Sequence, residues 1–147
     1  LGEMRDLESI KIAITAAETG HLLLSSLHTT GASKTVDRIL DTFPAEQQAQ
    51  VRMQLSMVLR AVVSQRLVPK KEGGQIAVFE VMTVNPAVQN LIRDGRTHQI
   101  DNAIFSGAGQ GMISMDGELQ RLYRAGTITR EVALTYAVSP ETLAKRL

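Results

Sequence analysis

The chain has 147 residues, 44% hydrophobic, 21% charged and only 3% aromatic. That suits one ordinary globular domain whose core is Leu, Ile, Val, Ala and Met, and it offers no aromatic platform for stacking single-stranded nucleic acid. Sixteen basic residues against fifteen acidic ones leave a formal charge of +1, and there is no cysteine. This excludes disulfides, thiolate metal sites and cysteine nucleophiles, lacks the basic excess of a dedicated nucleic-acid binder, and fits a reducing cytoplasm.

Along the chain, Ile10, Ala13, Ile14 and Ala17 recur at helical spacing, with Asp6 placed to cap the helix and Gly20 to stop it. The run His21–His28 is short, apolar at its start and of strand length, as a buried parallel strand would be. Thr29 or Thr30 is the expected cap of a second helix with Val36, Ile39, Leu40 and Phe43 on its core face. Helix, strand and helix in that order predict an α/β fold with crossover connections. Pro44 opens a long helix with a stripe of Val51, Leu55, Val58, Leu59 and Val62. Two extended pieces, 65–68 and 75–82, follow around the charged tip Pro69–Gly74.

Beyond Met82 the pattern changes to about five short helices. Asn85-Pro86 opens the first, Ile100–Ile104 marks the second and Met115–Tyr123 the third. Thr129 caps the fourth, and Ser139-Pro140 starts the fifth. The expected organisation is therefore residues 1–84 as an α/β portion and 85–147 as a helical subdomain. The longest apolar runs are three or four residues, far below the roughly 20 of a membrane span, and nothing at the start resembles a signal peptide. A first residue that is Leu rather than Met suggests a fragment.

Three stretches carry polar chemistry. Glu3 and Asp6 sit just before a helix, where a carboxylate either complements the dipole and caps free N–H groups, or, in α/β nucleotide hydrolases, orients or deprotonates water. His28 and Thr29 end the apolar run, where an α/β sheet meets its ligand; a hydrogen-bonded structural histidine is the plainer reading. His21 and His28 are poorly spaced for a shared metal, and no HExxH pattern accompanies them. The third stretch, Ala87–Asp94, is an amphipathic helix whose polar side reads first as a solvated face.

Two segments imitate phosphate sites without meeting their requirements. Thr30–Thr35 ends in Lys-Thr like a P-loop, but Ser33 and His28 occupy the two positions that must be glycine, so a plain helix start is expected. Gly107-Ala-Gly109-Gln-Gly111 follows no strand and reads as a flexible connection.

Taken together, these segments resemble the PilT-type secretion ATPases that power type IV pilus retraction. Gly2–Asp6 resembles the end of that family's Walker B motif, and Thr19–Thr29 its His box. The likeness continues through Phe43–Gln48 and Gln54–Gln65 to Gly111-Met112 and Met115-Asp116. The resemblance implies the C-terminal part of a RecA-like P-loop NTPase core followed by a mostly α-helical tail. It implies Glu3 as the catalytic carboxylate activating water and His28 as the γ-phosphate-contacting histidine. His21, Thr29 and Arg5 would support nucleotide binding. It aligns Ala87, Val88, Gln89, Asn90, Leu91, Ile92 and Arg93 with the family's retraction-associated motif, from which Val88, Gln89 and Asp94 depart.

The same likeness implies ATP with Mg2+ as cofactor, a homo-hexamer, a pilus inner-membrane platform protein as partner and a cytoplasmic position at the pilus base, without nucleic acid or direct membrane insertion. No protein metal ligand is implied in these residues. The family's Walker A loop is not among them, so no hydrolysis is expected of this stretch alone. Two alternatives stand beside this reading. One is the pilus-assembly or type II secretion branch, many of whose members carry a four-cysteine zinc insertion. The other is a non-enzymatic helical interaction module.

Overall fold

A computed structural model describes residues 1–147. The first helix, α1 (Leu7–Glu18), begins as its sequence requires. Asp6 Oδ1 accepts the Ser9 N–H at 2.8 Å while the Ser9 hydroxyl donates to the Asp6 carbonyl at 3.0 Å. Ile10, Ala13 and Ile14 are buried, and Gly20 ends the helix at φ +93°.

The run His21–His28 is extended but forms no strand. It lies beside the first four residues, running in the same direction. The Leu1 ammonium donates to the Leu24 carbonyl and the Met4 N–H to the Ser26 carbonyl, both at 3.1 Å. Three residues on one side thus match two on the other, which breaks the even spacing a parallel ladder needs. Leu22 and Leu24 are 86% and 76% exposed, not buried as expected.

Helix α2 (Ala32–Asp41) starts one or two residues later than expected, with Gly31 as its cap at φ +97°. Thr29 does not cap it; its hydroxyl is turned to Thr35 Oγ1 at 2.8 Å. Val36, Ile39 and Leu40 face the core, joined by Phe43. Helix α3 (Ala45–Val58) starts one residue after Pro44, which stands at the cap position without a capping hydrogen bond, and ends four residues before the expected Val62. Leu59 turns extended (φ −64°, ψ 128°), and Val62 belongs instead to a strand. The β-branched run there gains a full-length partner: β1 (Ala61–Pro69) pairs antiparallel with β2 (Gln75–Thr83) from Ala61↔Thr83 to Pro69↔Gln75.

The five short helices follow as the sequence predicts: α4 (Pro86–Arg93), α5 (Ile100–Ser106), α6 (Met115–Arg124), α7 (Arg130–Tyr136) and α8 (Pro140–Ala144). Asn85, Ser114 and Thr129 each accept a backbone N–H from the first turn they cap. Gly107–Gln110 forms a 3-10 turn against Met112, whose Sδ would lie 2.6 Å from any Cβ at Gly107.

Buried side chains form two cores. The first gathers α1, α2, α3, α4 and α5 around Val36, Leu55, Ile92 and Ile104, together with Val62 and Met82 at one end of the hairpin. Helices α4 and α5, on the tail side of the change at Asn85, pack here. The second packs α6, α7 and α8 on Val68 and Val78 at the hairpin's other end. Helix and sheet are thus mixed, giving the α/β class, with a sheet of only two strands. No helix is long and apolar enough to cross a membrane.

Candidate functional site

The extended residues 1–5 and the end of the His21–His28 run meet at Glu3. Its Oε1 lies 2.9 Å from His28 Nε2, and its Oε2 accepts from Arg5 Nε at 2.7 Å. Backbone contacts fix this meeting, because the Ser26 hydroxyl donates to the Gly2 carbonyl at 2.7 Å just beside it. The glutamate side chain is 22% exposed whereas the histidine ring is 88% exposed, so the pair opens onto solvent from a half-covered carboxylate. The Arg5 hydrogen bond holds the Glu3 carboxyl below its ordinary 4.5. The charges of Arg5 and His28 add to this, and desolvation opposes it. Such a carboxylate stays ionised and accepts hydrogen bonds well, but it is a weak base.

The other expected residues disperse around this pair. Thr29 points back onto α2 through Thr35 rather than toward Glu3. His21 is held at the end of α1, its Nδ1 3.1 Å from Thr19 Oγ1 and 3.2 Å from the Ala16 carbonyl, and shares no hydrogen bond with Glu3 or His28. On α4, Val88 and Ile92 are fully buried, Leu91 is half-buried, and Ala87, Asn90 and Arg93 are exposed, with Gln89 between. Arg93 donates to Asn90 Oδ1 at 2.6 Å, so the polar face of the motif is braced within itself. Lys34 and the Thr30–Thr35 stretch form an ordinary helix start, with the Gly31 carbonyl accepting from Thr35.

One polar residue escaped the sequence reading. Glu80 lies on β2 between Val78 and Met82, on the inward face of the strand, and is only 3% exposed. Its Oε1 accepts the Ala32 N–H at 2.8 Å, and its Oε2 faces the Met115 N–H at 3.4 Å. Burial raises its pKa, and the two N–H groups lower it in part; Asp101 and Asp116 push it up further. The signal was available: a charge in phase with Val78 and Met82 must point inward.

An apolar groove of about 830 Å³ runs beneath the extended segment, between α1 and α3, lined by Ile10, Ile14, Leu22, Leu24, Leu55 and Val58 among others.

With this arrangement in view, the chain matches a known family. The model of the Type II/IV secretion system protein family aligns with residues 1–133, and the chain belongs to that family. Within it, the chain is of the PilT type. It is 50% identical over 141 residues to the type IV pilus retractation ATPase PilT of Pseudomonas aeruginosa, covering 96% of this chain and 41% of that one. It is 49% identical over 144 residues to a twitching motility protein of Neisseria gonorrhoeae, covering 97% and 38%. The crystal structure of the pilus retraction motor PilT with bound ADP superposes with a TM-score of 0.87 at 42% identity, covering 98% of this chain and 40% of that one. The chain therefore spans about two fifths of the length of the relatives it matches.

Proposed function

We propose that this chain supplies the water-activating side of an ATP-hydrolysing motor that retracts type IV pili and so drives twitching motility. The observation that carries the reading is the contact of Glu3 with His28, which joins two segments distant in sequence at one solvent-facing point. A carboxylate beside an imidazole donor fits the terminal-phosphate end of a nucleotide: one group accepts from water, the other donates to a phosphate oxygen.

Glu3, held ionised by Arg5, orients the attacking water and accepts its hydrogen bond; the low basicity makes orientation its larger share of the work. When its Nε2 carries a proton, His28 is free to swing from Glu3 to a phosphate oxygen, since its ring is almost wholly in solvent. Thr29, tied to α2, steadies the backbone from which His28 projects. His21 and Arg5 complete the nucleotide-facing set, and the α4 face Ala87–Arg93 carries retraction-specific contacts.

The ligand is ATP with Mg2+, whose bound form supplies charge neutralisation at the transferring phosphoryl group. Among these residues there is neither a Gly-x-x-x-x-Gly-Lys-Ser/Thr loop nor a group of three His, Asp or Glu side chains able to hold a metal. The 147 residues alone are therefore expected to show no ATP turnover. The motor works as a homo-hexamer on the cytoplasmic side of the membrane, against an inner-membrane platform protein, with residues 1–84 as the ATPase-core portion and 85–147 as the helical subdomain.

The test is Glu3→Gln in a polypeptide of family length. Turnover should fall at least about 100-fold while affinity for a non-hydrolysable ATP analogue stays within about threefold. Loss of binding together with turnover would assign Glu3 to the fold rather than to the chemistry.

A further inference from the structure

Helix α2 begins immediately after the loop that carries His28, and it has no side-chain cap of its own: Gly31 stands at the capping position. A helix start left bare exposes backbone N–H groups that must find acceptors. Here the acceptor comes from 48 residues away, as Glu80 Oε1 takes the Ala32 N–H at 2.8 Å inside the protein. Gly31 suits the turn into the helix: at φ +97° it adopts a backbone conformation that side chains disfavour, while a Cβ there would make only ordinary contact with that same oxygen, at 3.5 Å.

The other Glu80 oxygen faces the first N–H of α6, at Met115. The backbone beside it is tied as well, because Val81 and Ile113 exchange N–H···O bonds of 2.8 and 2.9 Å. One carboxylate thus spans the starts of two helices, one leading out of the His28 loop and the other opening the helical tail. The Ala32 bond has the length of a charge-assisted one and is shielded from water, while the Met115 contact at 3.4 Å is longer and weaker.

We propose that Glu80 is a positioning residue for the candidate site: by clamping the start of α2 to the start of α6, it steadies the His28–Gly31 loop and so holds His28 against Glu3, alongside the Ser26–Gly2 contact that brings the two segments together. The inference rests on the reading of Glu3 and His28 as the reactive pair, and the experiment separates the two.

On the 147-residue chain, the His28 ring signals are followed by NMR with and without Glu3→Gln. The same comparison is then repeated in the Glu80→Ala and Glu80→Asp backgrounds. Aspartate keeps the charge but withdraws it by about 1.5 Å, beyond hydrogen-bond reach of Ala32, and guards against an alanine variant that does not fold. Glu3→Gln should shift the His28 signals in the parent chain. That response should fall at least about twofold in the Glu80 variants, with the Ala32 and Met115 amides exchanging at least about tenfold faster. An undiminished His28 response in folded Glu80→Asp overturns the proposal.

In a family-length polypeptide, Glu80→Asp should lower kcat for ATP about tenfold and leave KM within about twofold. Unchanged kcat alongside lost amide protection makes the clamp merely structural and also overturns the proposal. If the unmutated polypeptide does not hydrolyse ATP, the ATPase reading fails. The NMR comparison then still decides whether Glu80 steadies the His28–Glu3 contact.

Discussion

At Glu3 the two carboxylate oxygens are shared out, one to Arg5 and one to His28, and the guanidinium is the stronger influence on its titration. Replacing Arg5 with alanine should move the Glu3 carboxyl upward toward 4.5, read by carbon-detected NMR titration; an unmoved value would mean that His28 alone holds it. A carboxyl held below its ordinary value favours the folded arrangement above pH 4.5 and loses that contribution as pH falls through the depressed value. Glu80 behaves oppositely. Its pKa is raised, so its buried charge costs stability near neutrality, and that cost is relieved as pH falls through the raised value toward 4.5. Asp101, raised by burial and by Asp116, acts in the same sense. As pH falls from neutrality toward 4.5, thermal stability of the parent chain should therefore gain more, or lose less, than that of Glu80→Gln, which keeps only the Asp101 share. Parallel melting-temperature profiles would show that Glu80 does not titrate there.

At the scale of elements, local chemistry decided the helices. Asn85 accepts the Val88 N–H at 3.0 Å with Pro86 as the first helical residue, and this pairing made α4 readable from sequence. Asn85→Ala should cost about 1 kcal/mol by denaturant unfolding. Ile92→Ala, emptying the centre of the first core, should cost about 2–5 kcal/mol. Asp6, Thr129 and Gly20 were legible for the same local reason.

What was not legible depends on distant partners. The His21–His28 run has strand composition, yet a strand exists only where a second backbone matches its spacing, and residues 1–4 are out of step with it. The helical stripe ending in Val58, Leu59 and Val62 fits a helix as well as a strand edge, and only the pairing with Gln75–Thr83 settles it. Of the site, Glu3 and His28 were readable as residue types at element boundaries. That they touch was not, since nothing local encodes the Ser26–Gly2 contact that brings them together. Glu80 lies in phase with Val78 and Met82, but nothing local to it marks Ala32 and Met115, 48 and 35 residues away, as its partners.

For the whole molecule, the groove under the extended segment is the apolar surface most open to a second copy. With Leu22 and Leu24 largely in solvent beside it, apolar surface lies open in a continuous strip. The 147-residue chain is expected to self-associate in sedimentation experiments, and Leu22→Ser with Leu24→Ser should shift it toward the monomer. An unaltered distribution would place the association elsewhere.

The hairpin of β1 and β2 lends Val62 and Met82 to one core and Val68 and Val78 to the other. It is a beam clamped at both ends, and its nine rungs cannot be released at one end without loosening the other. Heat should therefore melt the two halves together. Tyr123 and Tyr136, which pack only against the second core, should report the same midpoint as total helix content.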